Sequence, residues 1–267
     1  MRDTERPVPF PRAARAVFDI SLDGMLWGRR ALVLVGLLAL PVAFALLYRG
    51  VLLTRLPPQI APLDLYRGLV AFFYVRNVLP LLALFLASAL VADEVEGRTL
   101  TYLLTRPDTR ASILAGKFGA YLAASLSLSL PPVVVTFLLL ATTAGRVGIG
   151  PAVPGLFRDL GVMALALLVY GAVFALLGVL TRRPLLLGLL FLYVWETLAV
   201  LPGYVPRLTI TVWLRSLLGH APAARGFQTV GEALPVGLSL AVLVGVGALA
   251  LGLALALFQR REYVLEQ

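Results

Sequence analysis

Asp93, Glu94 and Glu96 fall almost side by side, and Arg98, Arg106, Arg110 and Lys117 follow before the next apolar run. Side chains of both signs at this density suit ion pairs and hydrogen bonds to another surface. They offer no nucleophile and no metal set. Glu196 is the other candidate, the one acid well inside an apolar run (Tyr193-Val194-Trp195-Glu196-Thr197). An acid in hydrocarbon costs about 2.5–3.5 kcal/mol on insertion scales and usually faces a protein interior or cavity. Glu196 either lines a pathway or sits at the outer interface beside Trp195, paired with an arginine of an external loop.

Most catalytic chemistry is missing. There are no cysteines, which removes disulfides, thiolate catalysis and cysteine metal sites. His220 is the only histidine, so HExxH schemes fail, and it reads as a solvated loop residue. GxSxG is absent. Gly116-Lys117 is followed by Phe118, and Ala111 stands where a first P-loop glycine would be, so there is no Walker A motif. No cofactor is expected on this chain.

The elements that position these residues are membrane helices. The 267 residues are 60% hydrophobic and 14% charged, with a mean hydropathy of +0.93. Soluble domains carry about 45–50% apolar and about 25% charged residues. Backbone polar groups in hydrocarbon must pair within their segment, so the expected fold class is all-α, a polytopic membrane protein. Six spans are expected, at about Ala31–Tyr48, Leu69–Ala92, Phe118–Ala141, Gly161–Thr181, Pro184–Leu201 and Pro235–Phe258. Arg76 and Asn77 blur the second, which either begins as an interfacial helix or crosses only from about Asn77. Ala31–Tyr48 is too long for a signal-peptide core and reads as a retained span.

The net charge of +9 comes almost wholly from arginine, Lys117 being the only lysine. With the N-terminus inside, the inside segments hold 14 basic residues and the outside segments 9. The positive-inside bias therefore places both termini in the cytoplasm, and the arginines need no nucleic acid to explain them. The organisation expected is a lead and interfacial helix at 1–30, a transmembrane domain at 31–258 and a tail at 259–267. Val17, Phe18, Leu22, Met25 and Leu26 recur at helical spacing before the first span, with Trp27 at headgroup depth. The last external loop, 202–234, contains Leu208–Leu218, too short to span and read as a re-entrant or surface helix. Gly237, Ala241 and Gly245 make the last helix suited to close packing.

Within the charged segment 93–117, Glu94 and Arg98 stand in the favoured i,i+4 order, and Leu100, Leu103 and Leu104 form an apolar face. A short helix follows, ended by Pro107. Asp108 or Thr109 can cap a second helix that runs into the third span. Lys117 would snorkel to the headgroups. This helix-turn-helix reads either as a docking surface or as a solvated loop with self-compensating charge.

The run Asp93-Glu94-Val95-Glu96-Gly97-Arg98-Thr99-Leu100, then Leu103-Leu104, Pro107, Arg110, Leu114 and Gly116-Lys117, resembles the ABC-2 type permease family of ATP-binding-cassette transporters. The resemblance is to the branch of nitrous-oxide-reductase maturation and sodium-efflux permeases. Arg98 departs from the pattern, standing between Gly97 and Thr99. The resemblance implies that the segment is a coupling element contacting a separate ABC ATPase subunit, which would bind ATP and Mg. It carries that role to Asp93, Glu94, Glu96, Gly97, Thr99, Leu100, Leu103, Leu104, Pro107 and Arg110. It further implies a second permease copy or paralogue and a bacterial or archaeal cytoplasmic membrane. The function expected is a non-catalytic permease subunit of an exporter. A membrane scaffold recruiting a cytoplasmic complex would explain the charged segment equally well.

Overall fold

The computed structural model describes residues 10–53, 60–88, 90, 110–143, 149–181, 183–201, 203–219 and 234–260. Of the expected coupling residues, Asp93, Glu94, Glu96, Gly97, Thr99, Leu100, Leu103, Leu104 and Pro107 lie outside these, as does His220. Among the described residues there are helices and no strands.

The elements are α1 (Phe10–Leu26), α2 (Arg29–Leu53), α3 (Pro62–Ala87), α4 (Arg110–Ala141), α5 (Val153–Leu180), α6 (Pro184–Val200), α7 (Ile210–Leu218) and α8 (Val236–Arg260). Among the described residues, five helices are long and apolar enough to cross a membrane: α2, α3, α4, α5 and α8. The all-α polytopic fold class is as expected. The fifth expected span, however, is the shorter α6, which changes character along its length. It is α-helical over Pro184–Leu190, π-helical over Phe191–Trp195 and 3-10 over Glu196–Val200. The second span starts earlier than expected, so Arg76 and Asn77 lie inside a continuous helix.

α5 is the hub, touching α3, α4, α6, α7 and α8. α2 and α8 lie outside, with Leu32, Leu40, Phe44, Leu249 and Leu253 exposed toward what would be lipid. Acyl chains are as apolar as leucine, so close backbone approach and hydrogen bonds must hold such helices together. Three fully buried tyrosines do this. Tyr74 of α3 donates to the Leu38 carbonyl of α2 at 3.2 Å, and Tyr121 of α4 to the Leu167 carbonyl of α5 at 2.7 Å. Tyr170 of α5 meets Thr211 Oγ1 of α7 at 3.1 Å. Gly171 makes room for Tyr121, because a Cβ there would overlap its ring. α4 runs on through Pro131 and Pro132. The hydroxyls of Ser125, Ser129 and Thr136, all buried, turn back to carbonyls three or four residues earlier, which leaves each of them paired.

α1 is amphipathic as its spacing predicts. Arg15, Asp19 and Asp23 are exposed, and Val17, Phe18, Leu22 and Met25 are half-buried. Its apolar face packs chiefly on α4. Trp27 stays 87% exposed, as an interfacial anchor would. Gly116 explains the crossing, since a Cβ there would collide with the Ala14 carbonyl oxygen. α8 packs on α5 through Gly247, which meets Leu168 and Val169, whereas Gly237 and Gly245 of the expected small-residue stripe have nothing near them.

Candidate functional site between two π-helical stretches

α3 is π-helical over Leu69–Val78, and the following Leu79 N–H still reaches five residues back, to Tyr74. α6 contains the second π stretch, after which the Glu196 N–H bonds Phe191. π turns in α-helices are rare and are found frequently at functional sites. These two stretches form opposite walls of one cavity of about 60 Å³. Arg76, Asn77 and Pro80 line it from α3, and Tyr193, Glu196 and Thr197 from α6. The Asn77 side-chain amide donates to the Phe72 carbonyl at 2.6 Å, so it also satisfies the widened turn.

Glu196 is 7% exposed. Its Oε1 accepts from the Ile210 N–H at 3.0 Å and its Oε2 from the Thr211 N–H at 3.1 Å. These are the first two residues of α7, whose N-terminal amides have no intrahelical partner. Thr209, the residue at the cap position, donates its own hydroxyl to the Pro206 carbonyl at 2.7 Å and does not cap the helix. An acid fourteen residues upstream of Ile210 does so instead, and its charge complements the positive end of the helix dipole.

The other end of α7 is finished with opposite charge. Arg158 of α5 donates to the Leu218 carbonyl, and Gly219 turns the chain out at φ +64°. Along its sides, α7 is tied to α5 by Tyr170 and to α8 by Ser216 Oγ donating to Ser239 Oγ at 2.7 Å. Trp213 Nε1 donates to the Arg207 carbonyl at 2.7 Å, and Trp195 Nε1 of α6 to the Leu208 carbonyl at 3.1 Å. A nine-residue helix has no stability of its own. Its order comes from these attachments.

Arg215 of α7 completes the charge cluster. Burial first, and then the Arg76 cation, pull its guanidinium below the usual arginine range, while Tyr170 and Glu196 oppose that shift. Among the described residues, no hydrogen bond or ion pair holds either Arg76 or Arg215. Among the described residues, Glu196 is thus bound to backbone amides and not to an arginine.

Sequence reasoning missed Asp159. The fourth span was expected from Gly161, but α5 begins at Val153, which leaves Asp159 inside the helix and 1% exposed. It lies within electrostatic reach of the buried Tyr66. The available signal was Pro154 at a helix start, followed by Leu156, Phe157 and Leu160 on either side of Arg158 and Asp159.

At the α1 end, Arg110 opens α4 where a helix was expected to restart. Lys117 does not simply snorkel. Its Nζ donates to the Leu90 carbonyl at 2.9 Å, just beyond the end of α3. A lysine there meets the negative end of the α3 dipole.

These features define a polytopic α-helical membrane protein with buried charges at one end of the bundle. The chain belongs to the ABC-2 family of transporter proteins, whose family model matches residues 18–263. It is therefore an ABC transporter permease, a membrane subunit of a kind that generally works with an ABC ATPase. No curated protein matches the chain.

Proposed function

We propose that this permease is the membrane subunit of an exporter, driven by a separate ATPase docked on residues 93–117. The contact surface would comprise Asp93, Glu94, Glu96, Gly97, Thr99, Leu100, Leu103, Leu104, Pro107 and Arg110, with ATP and Mg on the partner. The supporting observation is the Lys117–Leu90 hydrogen bond at 2.9 Å. It draws together the two helix ends that flank the charged segment, so a partner bound there would push on both α3 and α4. α1 adds a brace against α4 at Gly116. From α4 the contacts lead through α5 to α7.

The arginine distribution supports both termini on the cytoplasmic side of a bacterial or archaeal inner membrane. α7 then lies at the external end. Glu196 is the pathway candidate, because it joins α6 to α7 beside the cavity; opening that end would either carry this pair along or break it. A second permease copy or paralogue would complete the pathway. ATP binding drives such a change only through contacts that differ between the two states. Affinity purification in mild detergent tests the reading. An ABC ATPase should co-purify and be lost on Glu94→Arg with Glu96→Arg. Retention of the ATPase by that variant would remove the docking role.

A further inference from the structure

Among the described residues, two guanidiniums gather at the cavity between the π stretches against one carboxylate. Arg76 lines it and Arg215 is within electrostatic reach of Arg76 and Glu196, whereas Glu196 is the one carboxylate on its wall among the described residues. Both Glu196 oxygens are already engaged by α7 amides. Neither guanidinium has a hydrogen bond or ion pair among the described residues. A half-buried guanidinium without a hydrogen-bond partner is free to take one, and its planar fork suits the oxygens of a phosphate or carboxylate. A cavity of about 60 Å³ holds about two waters' worth of volume. It would take the oxygens of such a group but not a whole metabolite.

The rim says where the group comes from. Tyr193 on the cavity wall is 63% exposed, and the adjacent Val194 and Trp195 are 60% and 43% exposed. α6 therefore turns tyrosine, valine and tryptophan outward beside the cavity. Tyrosine and tryptophan on an outward face mark headgroup depth. The cavity is placed to receive an anion from the side, out of the lipid.

We propose that this cavity binds the phosphate group of an anionic membrane lipid through Arg76, with the remaining N–H of the Asn77 amide as a second donor. The proposal holds whether the lipid is cargo or a resident, and so stands apart from the transport reading. Binding is measured on the purified permease without ATPase, by native mass spectrometry with dioleoylphosphatidylglycerol or dioleoylglycerol, which lacks the phosphate. The phosphatidylglycerol should bind about tenfold more tightly, a difference of about 1.4 kcal/mol. Arg76→Ala should remove that preference and Arg76→Lys reduce it, while Arg67→Ala, which loses an exposed pair with Asp64, leaves it intact. Equal affinity for the two lipids, or an unchanged preference in Arg76→Lys and a folded Arg76→Ala, would overturn the proposal. Displacement of the lipid by inorganic phosphate at similar concentration would overturn its lipid source and assign the cavity to a soluble anion.

Discussion

The two ends of the bundle handle charge in opposite ways. At the α1 end, Arg15, Asp19 and Asp23 point outward, the apolar face of α1 lies on α4 with Gly116 against the Ala14 carbonyl, and Lys117 reaches in to the Leu90 carbonyl. At the α7 end, two acids turn inward while Arg158 and Arg207 stay exposed. Glu196 and Asp159 are buried, and Arg158 reaches a helix carbonyl. An outward charged face is inexpensive in water and free to meet a partner. An inward charge persists only where backbone dipoles or other charges stabilise it. The first arrangement suits docking, and the second holds a small helix in one position.

The largest expected effect is at Glu196. Glu196→Ala leaves two α7 amides without their acceptor, at a cost on the order of 3 kcal/mol. Limited proteolysis after Arg207 or Arg215 should speed up markedly. Glu196→Gln keeps the shape but has one carbonyl oxygen to share between two donors, so it should fall between the wild type and Ala. Equal protease resistance in all three would show that the charge does not hold α7. Gly116→Leu comes next and probes the opposite end. The added side chain must displace the Ala14 backbone, at about 1–3 kcal/mol. The chain has no cysteine, so a single Val17→Cys probe reports α1 alone. Its labelling by a polar maleimide should rise in the Gly116→Leu background while α7 stays protected. Parallel loosening of both ends would break the contrast between them.

The two regions also differ in how far the sequence discloses them. Five of the six expected spans were legible because hydropathy depends on composition over some twenty residues. α1 was legible because its apolar positions keep the helical period. The attachment of α7 was not. Glu196 reaches Ile210 across a loop, and no local pattern encodes which amide an acid will meet. The π stretches were illegible for a related reason, since Leu69–Val78 reads as ordinary apolar helix until tertiary contacts widen its turns. Asp159 was missed because the start of a span is less sharply written than its middle.

Smaller effects sharpen the comparison. Arg158→Ala removes a charged donor from the last turn of α7 and should cost about 1–2 kcal/mol. It should add to the protease sensitivity of Glu196→Gln, because the two act at opposite ends of one helix. Lys117→Ala loses the bond to Leu90, worth about 1 kcal/mol. On the proposed reading it lowers ATPase stimulation by the permease while leaving membrane insertion and α7 protection unchanged.

Tyr170→Phe is the finest test. It deletes only the hydroxyl that meets Thr211 Oγ1 at 3.1 Å, and the ring keeps its stack on Phe174 with centroids 6.1 Å apart. Interhelical hydrogen bonds in membranes average about 0.6 kcal/mol, so thermal stability should barely change. Thr211 also gives its backbone N–H to Glu196. If α7 is held mainly by the acid, Tyr170→Phe should leave proteolysis at Arg215 near the wild-type rate and worsen it only in the Glu196→Gln background. If Tyr170→Phe alone frees α7, the attachment is a shared polar network in which the carboxylate has no special part, and charge is not what separates the two ends.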